Sequence, residues 1–362
     1  MTIMIPATTA SPVCGLTPTT SLGARPFDES ESAQWDDYVL RHPQASPFHL
    51  ICWKKTIEES FGYKAFYLAA ADSEIRGILP LFLVRNPIIG KALISSPFAV
   101  YGGILADNTG VRDLLYAHAQ ELGRRLNVGY IEFRNAWPEQ AGGVPNVSRY
   151  VAFQQPLESD EAALLAALPK KTRNVVRKSL KEPFEIRYGV SDLRILDTIH
   201  ARNMRLLGTP NFPRKYFDRL LANFGKMADV REVWLEGTPV AVSLNIFFRD
   251  SMHTYHAAAD KRYNSRGPNT FMYYDHLRWA GAHGYKAFDF GRCKRDTGVF
   301  QFKKHWNTVM RELPYEIVLV NRKTLPNFSP ANKKFQLFIR AWQHLPMPVA
   351  RLLSARLLPM FP

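Results

Sequence analysis

Hydrophobic and polar positions along the chain predict helices and strands that alternate in two similar series. In the first series, helical spacing of apolar residues marks 29–40, 48–61 and 111–126, and strand-like segments lie at 63–70, 75–84, 93–95, 102–105, 129–134 and 150–154. In the second series, helices are predicted at 190–207, 213–224 and 268–283, and strands at 229–235, 240–248, 253–258 and 286–290. The pattern therefore predicts a mixed α/β (α+β) chain.

Two local similarities indicate that the second series repeats the first. The corner from helix to strand at 129–133, GYIEF, matches GYKAF at 284–288. The hairpin at 72–78 parallels the hairpin at 236–242. Their shared order favours a duplicated α/β unit. Corners in which glycine joins a helix to a strand also recur widely in unrelated α/β proteins.

The stretch 284–307, GYKAFDFGRCKRDTGVFQFKKHWN, combines a strand with a cationic loop. The alternating strand is predicted to end at Gly291, and a basic loop over 292–298 leads into a short amphipathic segment that ends at Trp306. Such a loop after a buried strand commonly forms a site for an anionic ligand. The alternative is a strand, a turn and a solvated basic helix.

A second candidate anion site precedes the helix at 268–283. The segment RYNSRGPN places Arg262, Arg266 and Gly267 before a proline in the first helical turn, and it ends at Asn269. Free backbone N–H groups at a helix N-terminus favour phosphate. The segment is neither a P-loop nor a GxGxxG fingerprint. Its position before a helix resembles the one at which acyltransferases of the GNAT fold hold a pyrophosphate. An ordinary basic turn is the alternative.

Composition and charge narrow the classes of protein. The chain has 362 residues, of which 46% are hydrophobic and 12% aromatic, enough for two folded domains. The net charge of +15 favours anionic partners such as nucleic acid, phosphorylated substrates or an acidic membrane surface. Three widely spaced cysteines predict neither a disulfide framework nor a zinc site. No signal peptide or membrane span is predicted, so we expect a cytoplasmic protein.

Two segments carry much of the positive charge. Residues 170–181 hold six basic side chains, and as a helix they would present Arg173 and Arg177 to a partner or to solvent. The region 317–362 contains no carboxylate, and its apolar residues recur at helical spacing. This tail is predicted either to contact the inner face of the membrane peripherally, through 333–361, or to pack on its own domain.

Several motifs resemble those of FemAB-related proteins. They are GTP at 208–210, FDFGR at 288–292 and TGVFQFKKHWN at 297–307, with further similarity in the basic run after Pro169 and at 203–213. The most similar branch is the one associated with exosortase/PEP-CTERM exopolysaccharide systems. The resemblance covers about residues 27–320. It implies tandem, duplicated GNAT-like (acyl-CoA N-acyltransferase) domains, with the acceptor in a cleft near their junction.

The same resemblance implies an activity and one site residue. Characterised members transfer an aminoacyl group from aminoacyl-tRNA to a peptide amine of a cell-wall precursor. The pair Phe302-Lys303 matches the family's FK motif, so Lys303 is expected to stabilise the donor phosphate or the tetrahedral oxyanion. A solvent-facing lysine beside Lys304 is the alternative. The chain has His305-Trp306-Asn307 where many wall-bridge enzymes have a Phe-Gly ending.

The transfer also requires a group that accepts a proton from the nucleophile. Asp289 is one candidate, and it could instead orient Arg292 or be a charge at a strand end. His256 is another, although a lone histidine in a strand is often a packed one. Arg292 and Lys304 are expected to bind substrate or donor. No metal-ligand spacing and no Ser-His-Asp order is present.

The sequence thus predicts a disordered leader at 1–26, GNAT-like domains at 27–157 and 158–320, and a basic amphipathic tail at 321–362. The expected function is acyl or aminoacyl transfer to an amine or hydroxyl of a cell-envelope or exopolysaccharide precursor. The donor is expected to be acyl-CoA or aminoacyl-tRNA, with no metal. The alternative is a non-catalytic protein that binds RNA or the membrane surface.

Overall fold

The computed structural model describes residues 21–86, 90–143, 150–295, 297–324, 333–360 and 362. The elements of the first half are β1 (Gly23–Pro26), α1 (Ser32–Arg41), α2 (Ile51–Phe61), β2 (Lys64–Ala65), β3 (Leu68–Ala71), β4 (Ile75–Leu79), β5 (Leu81–Asn86), β6 (Gly90–Ser95), β7 (Leu105–Ala106), α3 (Thr109–Arg125) and β8 (Tyr130–Phe133).

The second half begins with β9 and ends with two helices of the tail. Its elements are β9 (Val151–Pro156), α4 (Glu161–Ala167), α5 (Lys170–Ser179), β10 (Phe184–Arg187), α6 (Arg194–Leu207), α7 (Arg214–Phe224), β11 (Ala228–Leu235), β12 (Thr238–Phe248), β13 (Ser251–Ala259), α8 (Pro268–Ala282), β14 (Ala287–Cys293), α9 (Gly298–Lys304), β15 (Val309–Glu312), β16 (Glu316–Leu319), α10 (Lys333–His344) and α11 (Met347–Leu357).

The strands form three sheets. The second half is built on one sheet of order β10-β11-β12-β13-β14-β9-β15, and the first half on sheets of order β16-β8-β6-β5-β2 and β1-β3-β4-β7. Pro80 lies between β4 and β5 and has no backbone N–H to donate to a neighbouring strand. At this residue the chain passes from one of the two smaller sheets to the other.

Each half contains one parallel strand pair joined by a helix. In the first half α3 connects β6 to β8, and in the second α8 connects β13 to β14. The two GY corners lie at the ends of α3 and α8, in the equivalent positions that the predicted duplication requires. The mixed α/β class and the repeated unit are both confirmed.

Two strands cross between the halves. β9 pairs with both β14 and β15, although 150–154 was assigned to the first half, and that assignment is corrected. β16, which the sequence did not predict as a strand, pairs with β8 in the first half. The sheets therefore do not divide at residues 157 and 320, where the predicted domain boundaries lie. The reason is burial: Val151 and Phe153 pack in the core of the second half.

The start of the chain also differs from its prediction. Residues Gly23–Pro26 form β1, which pairs antiparallel with β3. The predicted disordered leader at 1–26 is therefore wrong for these four residues, because they complete the edge of a sheet. Residues 1–20 of that leader lie outside the described residues.

The tail packs against its own chain. Trp342, Ala350 and Ser354 are buried, and Arg205 of α6 donates hydrogen bonds to the carbonyl oxygens of Gln343 (2.9 Å) and Leu345 (3.1 Å). This agrees with the packed alternative for the tail, while the outer face of α10 exposes Leu337 and Arg340. Within the described parts of the chain, no helix has the length and apolar character needed to cross a bilayer.

The largest apolar core is shared by the two halves. It joins Trp35 and Trp53 of the first half to Tyr216, Phe217 and Phe224 of the second, and α2 packs along α7. Because the halves exchange strands and share a core, neither can bury its apolar surface alone.

We therefore expect the chain to unfold in one cooperative transition. Amide exchange of β8 peptides and of β12 peptides, followed across a urea series, should give the same midpoint. Trp53→Ala opens a cavity in the shared core and should lower the free energy of unfolding by about 3–5 kcal/mol. Both midpoints should therefore fall by the same urea concentration. Two separate transitions, or a loss confined to one half, would contradict the shared core.

Candidate active site

The strands β13 and β14 part to form a wedge. They pair in parallel only at their beginnings, where the last pair is His253 with Asp289, and both then continue for several residues. β13 bulges at Tyr255, which has no partner on β12, and the register of β14 on β9 jumps between Asp289 and Arg292. Bulges bend strands away from their neighbours. The parted ends leave a gap between Thr254 and Gly291.

Asp289 shapes the bulge in β14. This carboxylate is almost fully buried and accepts hydrogen bonds from the backbone N–H of Gly291 (2.5 Å), the hydroxyl of Tyr101 (2.8 Å) and the amide of Gln154 (2.8 Å). Gly291 adopts a φ of +71°, a conformation that glycine tolerates best. The strand was predicted to end at Gly291. It instead bends there and continues to Cys293.

The geometry does not favour Asp289 as the catalytic base. Three donors already occupy its oxygens, and it lies outside the residues that line the main cleft. Its contacts instead fix the backbone of Gly291. Asp289 thus helps to hold the bend of β14. Its predicted roles, as a base or as the group that orients Arg292, stay predictions.

Lys303 lies at the base of the wedge. The helix α9 is capped by the side chain of Thr297, and Lys303 donates hydrogen bonds to the carbonyl oxygens of Gly291 (3.0 Å) and Arg292 (3.1 Å). Only 5% of Lys303 is exposed, so the solvent-facing alternative is excluded. Burial lowers the pKa of Lys303 to about 8, because removal from water disfavours the ammonium. The neighbouring Lys304 is exposed and does not line the cleft.

The aromatic residues of the FQFKKHW motif hold α9 in place. Phe300 packs on Phe153 of β9, and Phe302 lies between Tyr273 of α8 and Trp306. The motif thus serves chiefly to clamp a short helix, and the clamp directs Lys303 inward.

Arg292 is held by residues far away in the sequence. Its guanidinium donates to the hydroxyl of Tyr315 (2.9 Å) and lies 4.5 Å from the ring centre of Tyr150. The Tyr315 hydroxyl in turn donates to the carbonyl oxygen of Val100 in the first half. Sequence reasoning identified Arg292 but missed both tyrosines, since nothing local marks them as its partners.

The wedge opens into a cleft of about 940 Å³ between the two halves. Its lining includes Thr254 and Gly291 of the wedge, Arg134 of the first half and the tripeptide Gly208-Thr209-Pro210. Gly208 closes α6 with a φ of +74°, and a Cβ there would lie 2.4 Å from Ile339 of the tail. The GTP motif is thus the point at which the tail closes over the cleft.

His256 also lines this cleft. Its ring packs among Phe212, Phe217 and Tyr255 and lies 5.0 Å from the ring of His200. Burial lowers the pKa of His256 well below its usual value, so the imidazole is neutral at physiological pH. Among the described residues its Nε2 has no hydrogen-bond partner. His256 stays a candidate, as a weak base.

The other predicted anion site forms the N-terminus of α8. Gly267 precedes Pro268 with a φ of +83°, and no side chain caps the helix there, whereas Asn108 caps the equivalent α3. Arg266 pairs with Glu182, and Arg262 with Asp260 at 2.6 Å. Because α8 follows β13 and leads to the parallel strand β14, its N-terminus lies at the carboxyl ends of these strands. The wedge opens at the same edge of the sheet.

The predicted residues therefore fall into groups. Lys303, Arg292 and His256 meet in the cleft, whereas Arg262, Arg266, Gly267 and Asn269 surround the start of α8. The predicted basic helix forms α5, which packs against α8, and a Cβ on Gly267 would lie 3.5 Å from Ser179 at the end of α5. Arg177 is exposed on α5, and Arg173 donates to the carbonyl oxygen of Ala166. The described residues contain no cluster of His, Cys, Asp and Glu suited to a metal ion.

Known proteins share this architecture. Residues 170–304, from α5 to α9, match the family model of the acetyltransferase (GNAT) domain. The structure of FemX is 16% identical, with a TM-score of 0.66 over 82% of this chain and 97% of that chain. L-PGS from Bacillus licheniformis is 12% identical, with a TM-score of 0.54 over 89% and 99% of the two chains.

A tandem GNAT protein from the clavulanic acid biosynthesis pathway is 12% identical, with a TM-score of 0.51 over 84% of this chain and all 100% of that chain. A search of curated proteins found no match. The chain folds as GNAT-like domains in tandem. The predicted fold class is thereby confirmed, and the likeness to FemX is one of fold. The link to exosortase systems stays a prediction.

The buried lysine gives a prediction about stability. A lysine with a folded pKa of about 8 binds fewer protons than its unfolded form between pH 8 and 10.5, so its cost to stability shrinks as pH rises through that window. Relative to Lys303→Met, the wild-type free energy of unfolding should rise by about 2 kcal/mol from pH 7.5 to 9.5.

Denaturant unfolding at each pH measures this difference, and Lys304→Met is the matched control at an exposed position. The Lys304 variant should track the wild type at every pH. A Lys303 variant that also tracks the wild type would show that Lys303 titrates normally.

Proposed function

We propose that this chain is an acyl or aminoacyl transferase that modifies an amine or hydroxyl of a cell-envelope or exopolysaccharide precursor. The observation that carries the proposal is the wedge between β13 and β14, which has Lys303 at its base and opens into a cleft shared by both halves. The donor carbonyl enters the wedge, and the acceptor approaches from the cleft.

Lys303 is assigned to charge stabilisation. Attack of the acceptor on the donor carbonyl carbon places negative charge on the carbonyl oxygen. An ammonium has three N–H donors, and the carbonyl oxygens of Gly291 and Arg292 take two, so one is left for this oxyanion. Collapse of the intermediate forms the amide or ester and releases the thiol of a CoA donor or the hydroxyl of a tRNA donor.

His256 is assigned to proton removal. Its imidazole lines the same cleft as Lys303, and among the described residues its Nε2 has no hydrogen-bond partner, so it can accept the proton that the attacking amine or hydroxyl loses. The same proton then passes to the departing thiol or hydroxyl of the donor.

The start of α8 is assigned to the donor. Its uncapped N–H groups, with Arg266 beside them, suit the pyrophosphate of acyl-CoA or a phosphate of aminoacyl-tRNA, and both donors remain in the proposal. A tRNA would extend over the basic surface of α5, which includes Arg177. The acceptor is an anionic precursor, made in the cytoplasm or at the inner face of the membrane, where the tail would make contact.

Gly291→Ala tests the wedge. A methyl group there would lie 3.9 Å from both Lys303 Nζ and the carbonyl oxygen of Thr254, in the space assigned to the donor carbonyl. We expect at least a tenfold loss of transfer rate, measured by mass spectrometry of products from labelled donors.

Gly284→Ala is the matched control. Gly284 has a similar φ of +81°, and a Cβ there meets no atom within 4 Å. Both variants should lose about 1–2 kcal/mol of stability through the positive φ. Equal transfer rates in the two variants would contradict the wedge as the reaction site.

Arg266→Ala tests the donor site. We expect a higher KM for the donor with kcat little changed, because a phosphate contact is lost. Arg278→Ala is the control, since Arg278 is also paired with a carboxylate, Asp275, but lies near the opposite end of α8. A donor KM that is unchanged in Arg266→Ala, or raised equally in both variants, would contradict the assignment.

The same assay addresses the non-catalytic alternative. A protein that only binds RNA by charge would transfer nothing from either donor, and its affinities for tRNA and for an unrelated RNA would fall equally as salt rises.

A further inference from the structure

A second cavity lies at the edge of the sheet opposite the wedge. Ser251 and Ala287, the first residues of β13 and β14, line it, whereas the wedge opens where these strands end. Residues 43–46 and 136–137 of the first half and Arg311 of β15 form much of the remaining lining. This outer cavity has a volume of about 180 Å³, and among the described residues its lining has none in common with that of the large cleft. Pockets for drug-sized ligands measure about 300–1,000 Å³, so the outer cavity suits a smaller molecule.

The floor of the outer cavity is formed by side chains that surround one oxygen of Asp289. Tyr101 and Gln154 both donate to this oxygen at 2.8 Å, and the Nδ1 atom of His253 lies 3.6 Å from it. All three side chains line the cavity, whereas Asp289 does not, so they separate the cavity from the carboxylate. The other oxygen of Asp289 accepts the N–H of Gly291 at the bend of β14. One carboxylate thus connects the outer cavity with the wedge.

Arg311 contributes a guanidinium to the cavity that has no carboxylate partner. The central carbon of the guanidinium lies 3.8 Å from the ring centre of Trp137 and 5.5 Å from that of Tyr101. Among the described residues Arg311 forms no ion pair, and its Nε is buried without a hydrogen-bond acceptor. A guanidinium stacked on an aromatic ring can still donate from its edge to a carboxylate or a phosphate.

Arg249 adds a second positive charge at the cavity. It is exposed, donates to the carbonyl oxygen of His42 at 2.8 Å and forms no ion pair within the described part of the chain. The one carboxylate in the described lining belongs to Asp250, which is largely exposed and lies 4.0 Å from Lys286. Burial lowers the pKa of His253, so its imidazole is neutral at physiological pH. The charge that faces the cavity is therefore positive.

We propose that the outer cavity binds a small oxyanion, held by Arg311 and Arg249, and that this binding stabilises the bend of β14 through Asp289. Carboxylates and phosphate share the required chemistry, since both present two oxygens to a guanidinium. The bound anion would order the three side chains of the floor and so make local opening of β14 less favourable. This site goes beyond the proposed function and needs neither its donor nor its acceptor.

Calorimetric titration of the full chain with malonate and with malonamide, at an ionic strength fixed by sodium chloride, tests the binding. Malonate should bind with a Kd tighter than about 1 mM, and malonamide, its neutral analogue, at least about tenfold more weakly. Inorganic phosphate forms a parallel arm, and the tighter of the two anions identifies the class of ligand. If neither anion binds more tightly than malonamide, the inference is overturned.

Four variants locate the site. Arg311→Gln should weaken the tighter anion at least about tenfold, and Arg249→Gln, at an exposed position where no core packing is lost, should weaken it severalfold. Arg266→Ala, at the start of α8, and Arg340→Gln, on the exposed face of α10, should leave the affinity unchanged. Wild-type affinity in both Arg311→Gln and Arg249→Gln, or an equal loss in Arg266→Ala, would place the anion elsewhere and overturn the assignment.

Hydrogen exchange tests the connection to the wedge. Saturating concentrations of the tighter anion should slow amide exchange at 251–253 and 289–293, whereas β10 at the far edge of the sheet should exchange as before. Malonamide at the same concentration is the control and should slow neither segment. Anion binding that leaves exchange at 289–293 unchanged would refute the connection through Asp289. No donor or acceptor is present, so this result and a failure of the proposed transfer reaction are distinguishable.

Discussion

One buried carboxylate joins the segments that define the wedge. Asp289 receives hydrogen bonds from Gly291 in its own strand, from Gln154 in β9 and from Tyr101 in the first half. Bonds to a charged acceptor are worth about 1.5–3 kcal/mol each, and a buried carboxylate without them would be strongly destabilising. The bend in β14, and with it the carbonyl oxygens that hold Lys303, depends on this arrangement.

The site is correspondingly a product of both halves. β9 lies between β14 and β15, β16 completes the sheet of the first half, and the residues around Arg292 come from both. A cleft formed in this way cannot open freely without disturbing the shared core. The same coupling lets the tail act as a fixed wall, since its contacts reach both α6 and the first half.

Local pattern was sufficient for much of the fold. Helices such as α3 and α7 and the hairpin of β11 and β12 follow from periodicity, α8 is marked by the proline in its first turn, and the glycine corners revealed the repeat. Strand exchange could not be predicted, because β9 has the same alternation whichever sheet it joins. The short β16 was missed since four residues give little periodic signal.

The site was predictable where its residues lie close together in the sequence. Lys303 and Arg292 lie within one motif, so their proximity follows from short sequence separation. The partners that decide their roles do not: Tyr101 is 188 residues from Asp289, and Val100 is 215 residues from Tyr315. Asp289 was predicted as a base, as the group that orients Arg292 or as a charge at a strand end, and its three hydrogen-bond donors could not be read from the local sequence.

Hydrogen exchange with a bound, unreactive donor analogue tests the central claim most directly. A thioether analogue of acyl-CoA and an amide-linked analogue of aminoacyl-tRNA would each be added to the full chain at saturation. Binding in the wedge predicts slower exchange at 254–257 and 290–293 and at the first turn of α8, with either analogue. Saturated binding that leaves those segments unchanged, or protects a different surface, would contradict the wedge as the site of transfer.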